Sequence, residues 1–301
     1  MAFRDPSKRR NPRRIAKLRA EGKAINDIAE VSPTVAMKLL MRSFLYPQRA
    51  EAPDDTAACL EEAEPLGLPF EGDTLQAYRW AGDGTGPTVA MFHDWERESS
   101  HWCAYLKPLV EDKGCTVVAF DAPASGRSPG RRLSLRGYIN AIHNFRALTG
   151  PWHACVGHGL GAAAILQATA QLPAGERPPR IVTLGCNADS KEIFERRLGS
   201  LGIDEAVRLK FWRKLDAIAE IPLDSFDNTM AAARLGGVEG LIVHDHTDAR
   251  YPFSDAERLR DAWPGAELLE LEGFGHELDG VAVQTRLLPF IGAYKLLKLA
   301  A

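Results

Sequence analysis

Trp152-His-Ala-Cys-Val-Gly-His-Gly-Leu-Gly161, continued by Ala162-Ala-Ala-Ile-Leu-Gln-Ala168, is a short apolar run cut by glycines and followed by small residues. It reads as a strand, a sharp turn and a helix, the layout of a nucleophile elbow, G-x-S-x-G. Gly157, His158, Leu160 and Gly161 suit that layout, but the position that should attack, 159, is glycine. The reading of the whole chain turns on what such a turn does without a serine.

Strands and helices alternate outward from this stretch. Leu66 to Trp80, with Glu71-Gly-Asp at its centre, reads as two strands around a turn. Thr88–His93, Thr116–Asp121, Arg180–Leu184, Gly240–His244 and Ala266–Leu271 read as further strands. Helices are expected over Tyr105–Glu111, with Pro108 tolerated only in the first turn, and from Leu135 to Phe145 behind a Ser134 cap. Continuous apolar strands alternating with helices predict a mostly parallel central sheet flanked by helices. Residues 187–236 break the rhythm with helical stretches at Lys191–Leu198 and Asp204–Ile218, and read as a cap over the strand ends. The expected domains are a basic flexible tail over 1–24, an N-terminal helical extension over 25–65, and an α/β domain over 66–301 carrying the cap.

Composition bounds the function. The 301 residues are 45% hydrophobic, enough for a large core, and the net charge of −3 gives no reason to expect a nucleic-acid partner. Five scattered cysteines without C-x-x-C spacing predict a reduced, cytoplasmic protein with no disulfide framework. The basic N-terminus (Lys8, Arg9, Arg10, Arg13, Arg14, Lys17, Arg19) lacks the apolar run of a secretory signal. The run from Val281 reads as an amphipathic helix. Ser32-Pro33 predicts a helix start, with Val35, Leu39, Leu40 and Phe44 as its apolar face and Pro47 at its end. That face either packs on the domain, the favoured expectation, or joins the basic tail in a peripheral contact with an anionic membrane surface.

In a parallel sheet the chemistry gathers at the carboxyl ends of the strands. His93-Asp94-Trp95, Asp121…Gly126-Arg-Ser128, Gly159, Asp248 and Gly275-His276 each follow one of the expected strands. This set resembles the α/β-hydrolase superfamily from about residue 66 to the C-terminus. Asp121…Gly126-Arg-Ser128 looks like the family's D-x-x-x-x-G-x-S loop, Asp248 before Pro252 matches the acid position, and His276 matches the histidine. Within the superfamily, Trp95-Glu-Arg-Glu-Ser-Ser-His-Trp102, Trp263-Pro-Gly-Ala and Glu272-Gly-Phe-Gly-His276 are similar to a bacterial group of hydrolases without assigned chemistry.

The resemblance implies a serine, a histidine that takes its proton and an aspartate that orients the histidine. Glycine at 159 cannot form an acyl-enzyme. His93-Asp94 stands where the family commonly has His-Gly, placing a carboxylate in the oxyanion region formed with Trp95 and Leu160. Both departures fall on the same anionic intermediate. The leading expectation is therefore a non-hydrolytic or degenerate homologue that keeps the Asp248–His276 pair and a pocket for a small apolar or acyl-type ligand. The alternative is a hydrolase or lyase in which His276, oriented by Asp248 and joined by Asp94, acts as general base without a covalent intermediate. His158 reads as structural, Cys155 as a core thiol, and Ser99, Ser100 and Ser125 as hydroxyls without an activating neighbour. His244, Asp245, His246 and Asp248 are dense in ligand types but fall on different faces, so neither a metal nor another cofactor is expected.

Overall fold

The structure is a computed structural model describing residues 12–49, 54–84, 86–219, 226–278 and 280–291. Its centre is an eight-stranded sheet ordered β1-β2-β4-β3-β5-β6-β7-β8. β1 (Glu64–Phe70) and β2 (Asp73–Trp80) form an antiparallel hairpin, and β2 also lies antiparallel to β4 (Thr116–Phe120). The remaining pairs are parallel: β3 (Thr88–Phe92), β4, β5 (Ala154–His158), β6 (Arg180–Leu184), β7 (Glu239–Asp245) and β8 (Glu267–Leu271). The expected mostly parallel sheet is thus present, and among the described residues its antiparallel pairs lie at one edge.

The core has two layers because strand side chains alternate between faces. In β3, Ala90 and Phe92 enter one layer while Val89 and Met91 enter the other. The first layer is covered by α5 (Leu135–Thr149), α6 (Leu160–Ala170) and α10 (Phe253–Ala262). There Phe92 meets Phe120, Phe145 and Trp152 edge-on at centroid distances of 5.9, 6.4 and 5.6 Å, the offset geometry aromatic quadrupoles favour. The second layer is covered by α4 (Cys103–Val110) and α11 (Val281–Ile291), which bury Tyr105, Leu106, Leu109, Val283, Leu287 and Ile291. Ser134 caps α5 by accepting from the Gly137 N–H at 3.1 Å, as expected. Pro108 departs from expectation: a short 3-10 turn over Ser99–Trp102 leads into α4, so the proline falls near that helix's end, not in its first turn.

The insertion between β6 and β7 is helical: α7 (Ser190–Leu201), α8 (Glu205–Ala219) and α9 (Asn228–Ala233). Asp189 and Asp227 cap α7 and α9 and form a β-bridge with each other, closing the base of the insertion. The N-terminal extension begins with α1 (Pro12–Val31), so the stretch expected as tail is helical from residue 12; residues 1–11 lie outside the described residues. α2 (Pro33–Leu45) follows with proline at its start. Together with α7 and α8 these helices build a third core from Ile25, Leu40, Leu198, Leu201, Phe211 and Leu215. Phe44 stacks between Phe194 and Phe211 at 5.1 and 4.9 Å, and Asn26 bonds the Gly202 carbonyl and the Asp204 N–H. The extension therefore braces the cap. Its buried face is shifted from the expected one: Leu40 is inside and Phe44 packs on the cap as expected, joined by Ala36, Met41 and Leu45, while Val35 and Leu39 are 46% and 40% exposed.

The cysteine expectation is also corrected. Cys59 of α3 (Asp54–Glu61) and Cys103 of α4 are joined in a disulfide with Cα atoms 5.9 Å apart, within the range such a bond needs. Cys115, Cys155 and Cys186 are buried thiols. Residues 44 positions apart carry no local spacing signal; only the packing of α3 on α4 brings them together. In a chain-entropy account a closed loop of this length contributes about 2–4 kcal/mol. Cys59→Ser is expected to lower unfolding free energy by about that amount, read from urea unfolding. Peptide mapping without reductant should recover the Cys59–Cys103 cross-link in the wild-type chain, and its absence would remove the argument.

Candidate functional site

The D-x-x-x-x-G-x-S loop is a support. Asp121 sits at the end of β4 and accepts from the Ser99 N–H, the Arg127 N–H and the Tyr78 hydroxyl at 2.8, 2.8 and 3.1 Å. Gly126 has φ +45°, and a Cβ there would lie 2.3 Å from the Asp121 carboxylate, so only glycine lets the loop fold over the aspartate. The Ser128 hydroxyl donates to the Asp121 carbonyl and accepts from the Gln76 N–H at 2.9 Å. Arg49, at the end of the N-terminal extension, closes over the outside by donating to the carbonyls of Gly126, Ser128 and Gly130. The motif thus holds the loop beside β3 and supplies no group to the centre.

The centre forms where β3, β5 and the loops after β7 and β8 meet. Gly159 joins β5 to α6 with φ +51° and ψ −113°, a turn an L side chain enters only under strain. Its N–H is held by the Leu184 carbonyl at 2.9 Å. Directly above lies the Asp94 carboxylate. Its Oδ1 accepts from the Leu160 N–H at 2.8 Å, and a Cβ built on Gly159 would lie 1.9 Å from that same oxygen. Asp94 Oδ2 faces His276 Nε2 at 3.2 Å and accepts from Arg250 Nη1 at 2.7 Å. On its other side His276 Nδ1 meets Asp248 Oδ2 at 2.8 Å. Asp248 is fixed in turn by the N–H groups of Arg250 and Tyr251 on its Oδ1, at 2.7 and 3.0 Å.

Other groups position this row. Asp245, at the end of β7, accepts from the N–H groups of Thr247 and Phe274 and so ties the two loops carrying Asp248 and His276 together. His158 Nε2 donates to the His276 carbonyl at 2.8 Å, and its ring lies between those of His276 and His101 at 4.9 Å from each. Tyr251 meets His276 edge-on at 5.1 Å. Gly185 lies against the opposite side, where a Cβ would stand 3.2 Å from the imidazole.

The charges balance. Burial opposes ionisation of Asp94, but the hydrogen bond to His276 and the positive potential of the neighbouring imidazoles and Arg250 outweigh it, holding the carboxyl well below its usual range. Asp248 is likewise lowered, burial again being outweighed by the bond to His276 and two backbone N–H groups. Burial would lower His276, yet its bonds to Asp248 and Asp94 raise it to about 9. At neutral pH the centre is a row of two carboxylates, one imidazolium and one guanidinium.

The structure brings Asp94, Gly159, Leu160, Asp248 and His276 together. It leaves out the other two residues expected in the oxyanion region. The His93 ring is buried and turned away, accepting from the Ala122 N–H at 2.9 Å, with burial lowering its pKa. The Trp95 side chain packs against the first core layer. Cys155 is buried with its thiol pushed up by desolvation. Among the described residues the hydroxyls of Ser99 and Ser125 have no hydrogen-bond partner, and Ser100 donates to Glu98. The His244–Asp248 group is divided: His246 pairs with Glu270 at the surface, and Asp245 serves the loops. Among the described residues Asp94, His158 and His276 place potential ligand atoms within 4.8 Å of one another. Arg250, already seated on Asp94, sets a fixed positive charge against any cation there. Sequence reasoning missed Arg250 and His101, and weighed Asp245 only as a metal ligand. Arg250 had a legible signal, a base two residues beyond the acid; His101 had none.

No family model matches the chain, and no curated protein matches it in sequence. Solved structures do. A membrane phospholipase A described as a bacterial virulence factor aligns over 88% of this chain and 94% of its own, with a TM-score of 0.60 and 14% identity. A CIB-like hydrolase from Thermoplasma acidophilum aligns over 77% and 99% (TM-score 0.56, 14% identity), and a monoacylglycerol lipase from Paleococcus ferrophilus over 72% and 98% (TM-score 0.56, 18% identity). At such identities the likeness concerns the fold. Together with the strand order and the helical insertion after β6, it establishes that this chain has the α/β-hydrolase fold.

Proposed function

We propose that this protein is a non-hydrolytic member of the hydrolase-like folds, in which the elbow has become the floor of a closed ionic network. One observation carries the reading: the Leu160 N–H, placed to hold an oxyanion, is bonded at 2.8 Å to the chain's own Asp94 carboxylate. A substrate carbonyl oxygen arriving there would have to displace an ion already held by His276 and Arg250. Position 159 offers no attacking atom. The acyl-type ligand expected from the sequence thereby loses the donor that would have bound its carbonyl.

The raised pKa of His276 bears on the general-base alternative. An imidazole titrating near 9 is protonated at neutral pH and has no lone pair with which to take a proton. A role in binding or scaffolding fits such a centre better than one in proton abstraction. The test is direct. A fluorophosphonate probe should leave the wild-type chain unlabelled, and short p-nitrophenyl esters should hydrolyse no faster than in buffer. Ester turnover that disappears in His276→Ala, and climbs as pH approaches 9, would overturn this reading and support the general-base alternative.

A further inference from the structure

The N-terminal extension leaves one feature that neither the fold nor the ionic network uses. While α2 packs Ala36, Leu40, Met41 and Leu45 against the cap, its opposite side is also apolar. Val35 and Leu39 are 46% and 40% exposed, with Val31 before them at 89% and Tyr46 after them at 43%. Residues 35 and 39, four apart in α2, share one face, while Val31, the last residue of α1, and Tyr46, just past the end of α2, stand exposed at its two ends. Lys38 and Arg42 flank it, both exposed and in no ion pair among the described residues. From Val31 to Ala50 the sequence holds no acidic residue.

Charge is polarised in the same direction. The first 42 residues carry eleven Lys and Arg against four Asp and Glu, whereas the rest of the chain carries 26 against 36. A cationic segment therefore leads, in sequence, into the apolar face of α2 on an otherwise acidic protein. We propose that this face of α2, with the basic N-terminus, docks on an anionic lipid surface. A face of Val and Leu edged by Lys and Arg is what lies in a headgroup layer: the apolar side chains enter the acyl boundary and the cations meet the lipid phosphates. A second copy fits the face poorly, because an isologous pairing would set Lys38 and Arg42 of one copy near those of the other with no acidic residue between Val31 and Ala50 to neutralise them. No described helix is long and apolar enough to cross a membrane, so the contact is peripheral. The brace formed by α1, α2, α7 and α8 presents this face from a packed helix and couples it to the cap.

The experiment is co-sedimentation of the full chain with vesicles of phosphatidylcholine alone and of phosphatidylcholine with 30% phosphatidylglycerol. Binding is expected on the anionic vesicles, at least tenfold weaker on the neutral ones, and weakened about tenfold between 0.1 and 0.5 M NaCl. Val35→Asp with Leu39→Asp should reduce binding at least tenfold while leaving the melting temperature unchanged, since neither side chain is in the core. Equal affinity for both vesicles, absence of binding, or full binding by the double variant would overturn the proposal. So would a concentration-dependent dimer that the same double variant abolishes, since a second copy would then be the occupant. None of these outcomes depends on whether the chain hydrolyses esters.

Discussion

Gly159→Ser is expected to lower unfolding free energy by about 4–8 kcal/mol, about 3–5 for breaking a buried ion pair and about 1–3 for backbone strain. Two effects add. A non-glycine residue at φ +51° carries local strain of about 1–3 kcal/mol. The larger effect is collision: the new Cβ would meet Asp94 Oδ1 at 1.9 Å, so the carboxylate must leave. Its departure strips His276 and Arg250 of their buried counter-ion. Relief should come from Asp94→Gly in the same chain, which removes the colliding group. The two substitutions should then be non-additive in a double-mutant cycle, with a coupling of at least about 1 kcal/mol. The chemistry should follow. The single serine variant is expected to stay unlabelled by fluorophosphonate, because Asp94 and the serine compete for one space. The double variant, with Asp248 and His276 still in line, should react. A single variant as stable as wild type would show that the carboxylate does not occupy the elbow.

The second large effect is in pH. His276 titrates near 9 in the folded chain, against about 6.5 for an unperturbed imidazole. A base whose pKa is raised by folding contributes stability fully below its unfolded value and loses it as pH rises through the folded one. The contribution is about 3 kcal/mol, present at pH 6 and gone above pH 9. Asp94 and Asp248 act in the opposite sense: their depressed pKa values stabilise the fold above about pH 4, and that share is lost as pH falls further. Burial lowers the pKa values of His93, His101 and His158, so they remove stability as pH falls below about 6.5. Wild-type urea midpoints should therefore peak near about pH 6.5 and decline on both sides. In His276→Gln the peak should be lower and the alkaline decline flattened. An unchanged alkaline slope in that variant would mean that His276 is not the titrating group.

Much of the fold was legible because it rests on local patterns. The two-strand hairpin at Leu66–Trp80, the Ser134 cap and the helical cap insertion each depend on residues near one another in sequence. Where neighbours distant in sequence decide the outcome, reading failed. α2 is apolar on two sides, and periodicity cannot say which side finds the cap; the sequence favoured Val35 and Leu39, and packing chose Ala36, Met41 and Leu45. Cys59 and Cys103 are joined only because two helices separated by a hairpin and a strand pack together. The first pair of residues in the oxyanion region illustrates the same limit: His93 and Asp94 are adjacent, yet one ring points into the core and the other carboxylate into the centre.

By itself the sequence determined the parallel sheet, the elbow turn without a serine, and the placing of Asp94, Asp248 and His276 at strand ends. Those follow from hydrophobic period, from glycine's freedom at one turn, and from the rule that strand ends face the centre. The tertiary structure alone decided that the Asp94 carboxylate fills the space above Gly159 and that Arg250 completes its neutralisation. A charge's meaning depends on which opposite charges stand within a few ångströms of it, and for residues 156 positions apart only the folded chain sets that distance.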